Sequence, residues 1–252
     1  AEEIRSAVQA VAGLRPVVRF QRPPGRPAPA VAPAPAPRPA AAPLRTPWPP
    51  LSLGTGARPR VVGIAASTGG PAALAKILAG LPAGYALPIL VVQHIAQGFE
   101  RGLAHWLDQE SPLEVRIAVH GEPIRPGTVY LAPDGLHLGV ARECVDLTDG
   151  APVRGFRPSG TRLFESLARE YGGAAAGVVL SGMGDDGADG LKAIRERGGY
   201  TAAQGPVSSV VFGMPRAAID RGAAAVTLEL EDIAGALVRL ARGPRNRGAS
   251  GS

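Results

Sequence analysis

Cysteine is almost absent from this 252-residue chain: Cys144 stands alone. A single thiol cannot form an intrachain disulfide, which excludes a disulfide-stapled scaffold and suits a reducing compartment. In an expected strand, Glu143 to Leu147, Cys144 reads as a packing residue. Aromatic residues make up only 4% of the chain, so a core has to be built from Ala, Val, Leu and Ile. No apolar run approaches the ~20 residues that span a bilayer, and no charged-then-apolar leader is present. The expected location is cytoplasmic. With four His and one Cys, no zinc-site spacing occurs.

Basic charge is also lacking where a fold is expected. The formal charge is +6, but residues 1–60 hold nine Arg and two Glu, while residues 61–252 hold 18 basic and 19 acidic side chains. The second part has no excess to neutralise phosphates, which argues against a nucleic-acid partner.

What is present begins with Val61-Val62-Gly63-Ile64-Ala65-Ala66-Ser67-Thr68-Gly69-Gly70. An apolar run, a tight turn and an Ala72–Leu81 helix pattern predict strand, turn and helix. Ser67 then stands at a strand's carboxyl end, where open α/β sheets place ligands. The turn suits either a nucleophile or an anion-binding loop. Ser67 can also simply cap the helix. For a phosphate cradle the chain lacks G-x-x-x-x-G-K-[ST], and it lacks G-x-G-x-x-G with an acidic partner about 20 residues on. Two further apolar runs end in chemistry. Pro88 to Gln93 runs into His94, and Ala174 to Leu180 runs into Ser181-Gly182-Met183-Gly184-Asp185-Asp186-Gly187. In a parallel sheet those ends share one edge, so Ser67, His94 and an aspartate can converge as a triad, which geometry rather than sequence order defines. His105, His120 and His137 read as structural. The stretch Asp185 to Glu196 partly mimics a calcium loop, but Gly187 takes a ligand position and the context is strand-turn-helix.

The motifs GIAASTGGP, VVQHIAQGF, FRPSGTRLF, LSGMGDDGADG and VSSVVFGMP resemble, in order, those of the chemotaxis receptor methylesterases (CheB). The resemblance runs from about Arg60 to Leu240. It implies an esterase that removes methyl groups from receptor glutamates and deamidates receptor glutamines, without metal or organic cofactor. It implies Ser67 as nucleophile, His94 as base and Asp186 as the carboxylate that orients the histidine. The N–H of Met183, and one at the Ser67 turn from Thr68, would stabilise the oxyanion. Implied partners are methyl-accepting chemoreceptor helices and an upstream receiver domain phosphorylated by a histidine kinase. Two departures stand out. Ile95-Ala96-Gln97 replaces the frequent Met-Pro-Pro, and Asp185 replaces a frequent Asn, so that two aspartates compete for one role. Asp185 is expected to face solvent or the helix start.

The expected fold is a doubly wound, mostly parallel α/β sheet with helices on both faces. Helices are expected near Glu100–Asp108, Thr161–Tyr171 (capped by Ser159), Ala188–Arg197 and Pro215–Arg221. Strands are expected near Leu113–Val119, Thr128–Ala132, Tyr200–Gln204 and Ala223–Leu228, with a hairpin or meander over 137–147. The expected organisation has four parts. Residues 1–20 are an amphipathic helix, either free or the remnant of a receiver domain's last helix. Residues 21–59 are a Pro/Ala-rich linker, with 12 prolines in 22–50, extended as polyproline II. Residues 60–242 are the catalytic domain, and 243–252 a disordered tail.

Overall fold

A computed structural model describes residues 57–242. The expectations for residues 1–20, for most of the 21–59 linker and for 243–252 lie outside the described residues.

The apolar run at 61–66 forms β1 (Val61–Ala66), and every one of its residues is buried. Burial on both faces is what a continuous apolar run demands of a central parallel strand. Around it lie α1 (Gly70–Ala79), β2 (Ile89–Gln93), α2 (Glu100–Glu110), β3 (Glu114–Ile117) and β4 (Thr128–Leu131), followed by β5 (His137–Ala141) and β6 (Cys144–Thr148). Then come α3 (Gly160–Tyr171), β7 (Ala175–Val179), α4 (Ala188–Glu196), β8 (Tyr200–Gln204), α5 (Met214–Asp220), β9 (Val226–Leu228) and α6 (Leu230–Arg242). Seven strands form one sheet in the order β3-β4-β2-β1-β7-β8-β9, with every pairing parallel. The pair β5–β6 is a separate antiparallel hairpin.

Alternation along β1 divides the core. Val62, Ile64 and Ala66 face α1, α2 and α6 through Leu74, Ile77, Leu107, Ile233 and Leu237. Val61 and Ala65 face Phe164, Leu167, Leu191 and Ile194 of α3 and α4, together with Leu138 and Val140 of the hairpin. Gly63 and Gly177 are register partners on β1 and β7. A Cβ on Gly63 would come within 2.6 Å of Leu167 Cδ1, and one on Gly177 within 2.5 Å of Leu191 Cδ1. The bare strand surface is thus what lets α3 and α4 lie close against the sheet.

The chain builds from β1 outward to one edge, then returns to build from β7 to the other. Strand order therefore reverses between β1 and β7, the position at which such sheets open a crevice beyond their carboxyl ends. Two expected strands prove shorter than their apolar patterns, at β3 and β9, and α6 is a helix for which no element was expected. Among the described residues no helix is long and apolar enough to cross a membrane.

Candidate active site

Ser67 follows β1 directly and His94 follows β2. Ala66 and Gln93 are opposite each other in the parallel register, and the His94 N–H donates to the Ala66 carbonyl at 2.9 Å. Register partners in parallel strands project to the same face about 4.8 Å apart, so Ser67 and His94 leave the sheet side by side. The Ser67 turn is fixed from three directions. Its N–H donates to the Ser181 carbonyl at 3.0 Å, and its carbonyl accepts the Gly70 N–H at 2.8 Å. Gln93 Nε2 donates at 2.8 Å to the carbonyls of both Ser67 and His94.

Asp186 lies on the loop after β7 and is 0% exposed. Its Oδ2 stands 2.9 Å from His94 Nε2 and accepts the Gly160 N–H at 2.6 Å. Its Oδ1 accepts the Ser159 hydroxyl at 2.7 Å and the Thr161 N–H at 3.1 Å. Gly160 and Thr161 open α3, so the carboxylate sits where a helix presents unpaired N–H groups and the positive end of its dipole. Burial pushes the Asp186 pKa up, but the hydrogen bonds from His94, Ser159, Gly160 and Thr161 outweigh it and bring the pKa down to about 2. An ionised carboxylate only accepts, so the His94 proton lies on Nε2 and the lone pair on Nδ1. Nδ1 is buried and has no hydrogen-bond partner among the described residues. No hydrogen bond joins the Ser67 hydroxyl to His94; such bonds commonly tighten only when substrate is bound.

The adjacent aspartates take different partners. Asp186 meets His94, whereas Asp185 pairs with Arg154 and Arg221. Asp185 stands at the start of α4, its side chain part-exposed, and two arginines distant in sequence pair with it there.

The loop carrying Met183 is pinned by the 208–215 segment. The Gly182 N–H donates to the Val211 carbonyl at 3.0 Å, and its carbonyl accepts the Gly213 and Met214 N–H groups at 3.1 and 2.8 Å. Ser181 Oγ donates to the Thr68 carbonyl at 2.8 Å and accepts the Val211 N–H at 2.9 Å. The Thr68 and Met183 N–H groups make no hydrogen bond to other described residues. The Met183 side chain is 75% exposed.

Residues 62–237 match the family model described as CheB methylesterase. The chain belongs to this family. It is 46% identical over 95% of its length to protein-glutamate methylesterase/protein-glutamine glutaminase 4 of Myxococcus xanthus, covering 64% of that protein. It is 51% identical over 71% of its length to protein-glutamate methylesterase FrzG of Myxococcus xanthus, covering 54% of it. The chain thus spans only part of these curated relatives. The crystal structure of the Thermotoga maritima CheB methylesterase catalytic domain superposes with a TM-score of 0.69 at 36% identity, covering 72% of this chain and 98% of that one.

Sequence reasoning overlooked Gln93 and Ser181, whose side chains hold the Ser67 turn. Gln93 carried a legible signal, as a polar residue closing a wholly apolar strand. Arg154 carried none.

Proposed function

We propose that the chain is a serine hydrolase that removes methyl esters from methylated glutamates of chemoreceptors and deamidates receptor glutamines. The observation that carries this reading is the His94 Nε2–Asp186 Oδ2 bond of 2.9 Å beside a strand-end serine, with His94 Nδ1 left free to accept a proton. The names of the relatives, protein-glutamate methylesterase/protein-glutamine glutaminase, support the substrate class.

In this mechanism His94 Nδ1 takes the hydroxyl proton as Ser67 Oγ attacks the ester carbonyl. Asp186 stabilises the imidazolium that forms. The Thr68 and Met183 N–H groups donate to the oxyanion. The intermediate collapses, His94 returns its proton to the departing methoxide, and methanol leaves. Water, deprotonated by His94, then cleaves the acyl-enzyme and frees Ser67 and a glutamate carboxylate. From a glutamine side chain the same steps release ammonia. No step calls for a metal or organic cofactor. The enzyme works in the cytoplasm on chemoreceptor helices, under control of an upstream receiver domain phosphorylated by a histidine kinase.

The test is methanol release from methylated receptor, together with labelling by a serine-directed phosphonate. Ser67→Ala abolishes labelling and reduces turnover to a residue supplied by the oxyanion donors. Labelling at the full rate in Ser67→Ala removes Ser67 as nucleophile. A wild-type chain that binds receptor without releasing methanol is a docking module instead.

A further inference from the structure

His94 is held by Asp186 on one edge only. With Nδ1 unbonded, the Nε2···Oδ2 bond leaves the imidazole free to swing about that line. Something else must fix its plane. The Phe156 ring lies flat against it, with centroids 4.0 Å apart and planes 4° from parallel.

Phe156 is presented by an unusual turn. Val153 and Phe156 exchange backbone hydrogen bonds of 3.0 and 2.9 Å, closing a two-residue hairpin on Arg154 and Gly155. Both central residues have positive φ, 51° and 86°, as a type I′ turn requires. Asn, Asp or Gly normally fills the first of these positions, and a long side chain there is strained. The Arg154 guanidinium compensates. It donates to Asp185 and, at 2.7 Å, to Asp189 Oδ2. Arg221, just beyond α5, donates to the same two carboxylates. Asp185 adjoins Asp186, and Asp189 lies in the first turn of α4. The four charges therefore tie the turn that bears Phe156 to the loop that bears Asp186.

We propose that Phe156 is a positioning residue for His94, and that the Arg154–Asp185–Asp189–Arg221 cluster is the latch that holds it in place. The proposal rests on the reading of His94 as the base. Phe156 closes one face of the imidazole to water and directs Nδ1 toward Ser67. Its π-face also favours the imidazolium that forms as Ser67 attacks. Asp185, where the family frequently has Asn, is then the counter-charge for two arginines.

Phe156 lies on a turn, part-exposed, so its variants are expected to fold. Phe156→Leu keeps an apolar side chain but loses the flat face. It lowers kcat by about tenfold or more and leaves KM within about twofold, the pattern of a lost transition-state effect. Phe156→Tyr restores kcat. Arg154→Asn suits the turn but cannot span both carboxylates, and it lowers kcat in the same direction. NMR supplies a readout independent of turnover: the ring-current shift on the His94 ring protons is present in wild type, lost in Phe156→Leu and reduced in Arg154→Asn. A raised KM with unchanged kcat in Phe156→Leu makes Phe156 a substrate contact and overturns the proposal. An undiminished ring-current shift in Arg154→Asn overturns the latch. If wild type turns over methylated receptor and Phe156→Leu matches it, the proposal alone falls. If wild type has no turnover, the hydrolase reading falls and takes the proposal with it.

Discussion

Gly182 lies directly against Ser67: a Cβ added at position 182 would sit 2.7 Å from the Ser67 Cβ and 3.1 Å from its backbone nitrogen. The glycine lets the Met183 loop approach the proposed nucleophile closely, and the proposed mechanism has one N–H from each side donate to a shared oxyanion. Gly182→Ala must push the two apart. A displacement of about 1 Å at a reacting centre can lower turnover by about 10²-fold. The expected result is a loss of that order in kcat, with circular dichroism unchanged. Wild-type kcat in Gly182→Ala shows that the close approach is packing alone.

The two aspartates are separable by substitution. Asp186→Asn is expected to lower kcat by up to about 10⁴-fold if this triad behaves as the serine-protease one does. An amide in place of the carboxylate can present its NH₂ to His94, which favours the wrong tautomer. Asp185→Asn is expected to cost less than about tenfold, since Arg154 and Arg221 both keep their second carboxylate on Asp189. Steady-state methanol release from both variants decides the matter. The reverse ranking transfers the role to Asp185.

Asp186 also links stability to acid. Its carboxyl titrates near 3.8 when unfolded and near 2 in the fold. The folded state binds that proton more weakly, so the stabilisation is complete above about pH 4 and is lost as pH falls through about 2. Its size is about 2 kcal/mol, a pKa unit being worth ~1.4 kcal/mol. Urea denaturation between pH 2 and pH 6 is expected to show wild type losing more stability on acidification than Asp186→Asn. Parallel curves refute the linkage.

The legible and illegible parts of the fold differ in physical range. β1, β2 and β7 could be read because two-face burial forces continuous apolar runs, and the residues that end those runs had to share an edge. Ser159 could be read as a cap from its place before a helical pattern. That it also donates to Asp186 could not, because the partners are 27 residues apart. β9 was overextended because Ala223 and Ala224 are apolar, yet their N–H groups donate to the Ala218 carbonyl of α5 and not to a strand. The Arg154–Asp185 pair spans 31 residues, and nothing local distinguishes those charges from a solvated surface. In the site itself, the family motifs singled out Ser67, His94 and Asp186, whereas the side chains that hold them in place come from tertiary contacts.

Gln93 shows how much of that support rests on one amide. Its side chain is 4% exposed, and its Nε2 satisfies the carbonyls of both Ser67 and His94. Gln93→Met keeps the length and the apolar stem but supplies no donor. The His94 carbonyl then loses its partner, at a cost of about 1–3 kcal/mol for an acceptor left unpaired, and the Ser67 carbonyl keeps only the Gly70 N–H. The Ser67 turn and the His94 backbone also lose their common tie. The expected variant folds with a lower melting temperature and loses more in kcat than in KM, because binding surfaces are untouched while two reacting groups drift. Gln93→Glu is the sharper control. An ionised carboxylate facing two carbonyl oxygens has no proton to donate and adds repulsion, so its activity should fall below that of Gln93→Met at neutral pH. Equal activity in the two variants, near that of wild type, assigns Gln93 to packing and leaves the alignment of Ser67 with His94 to the strand register alone.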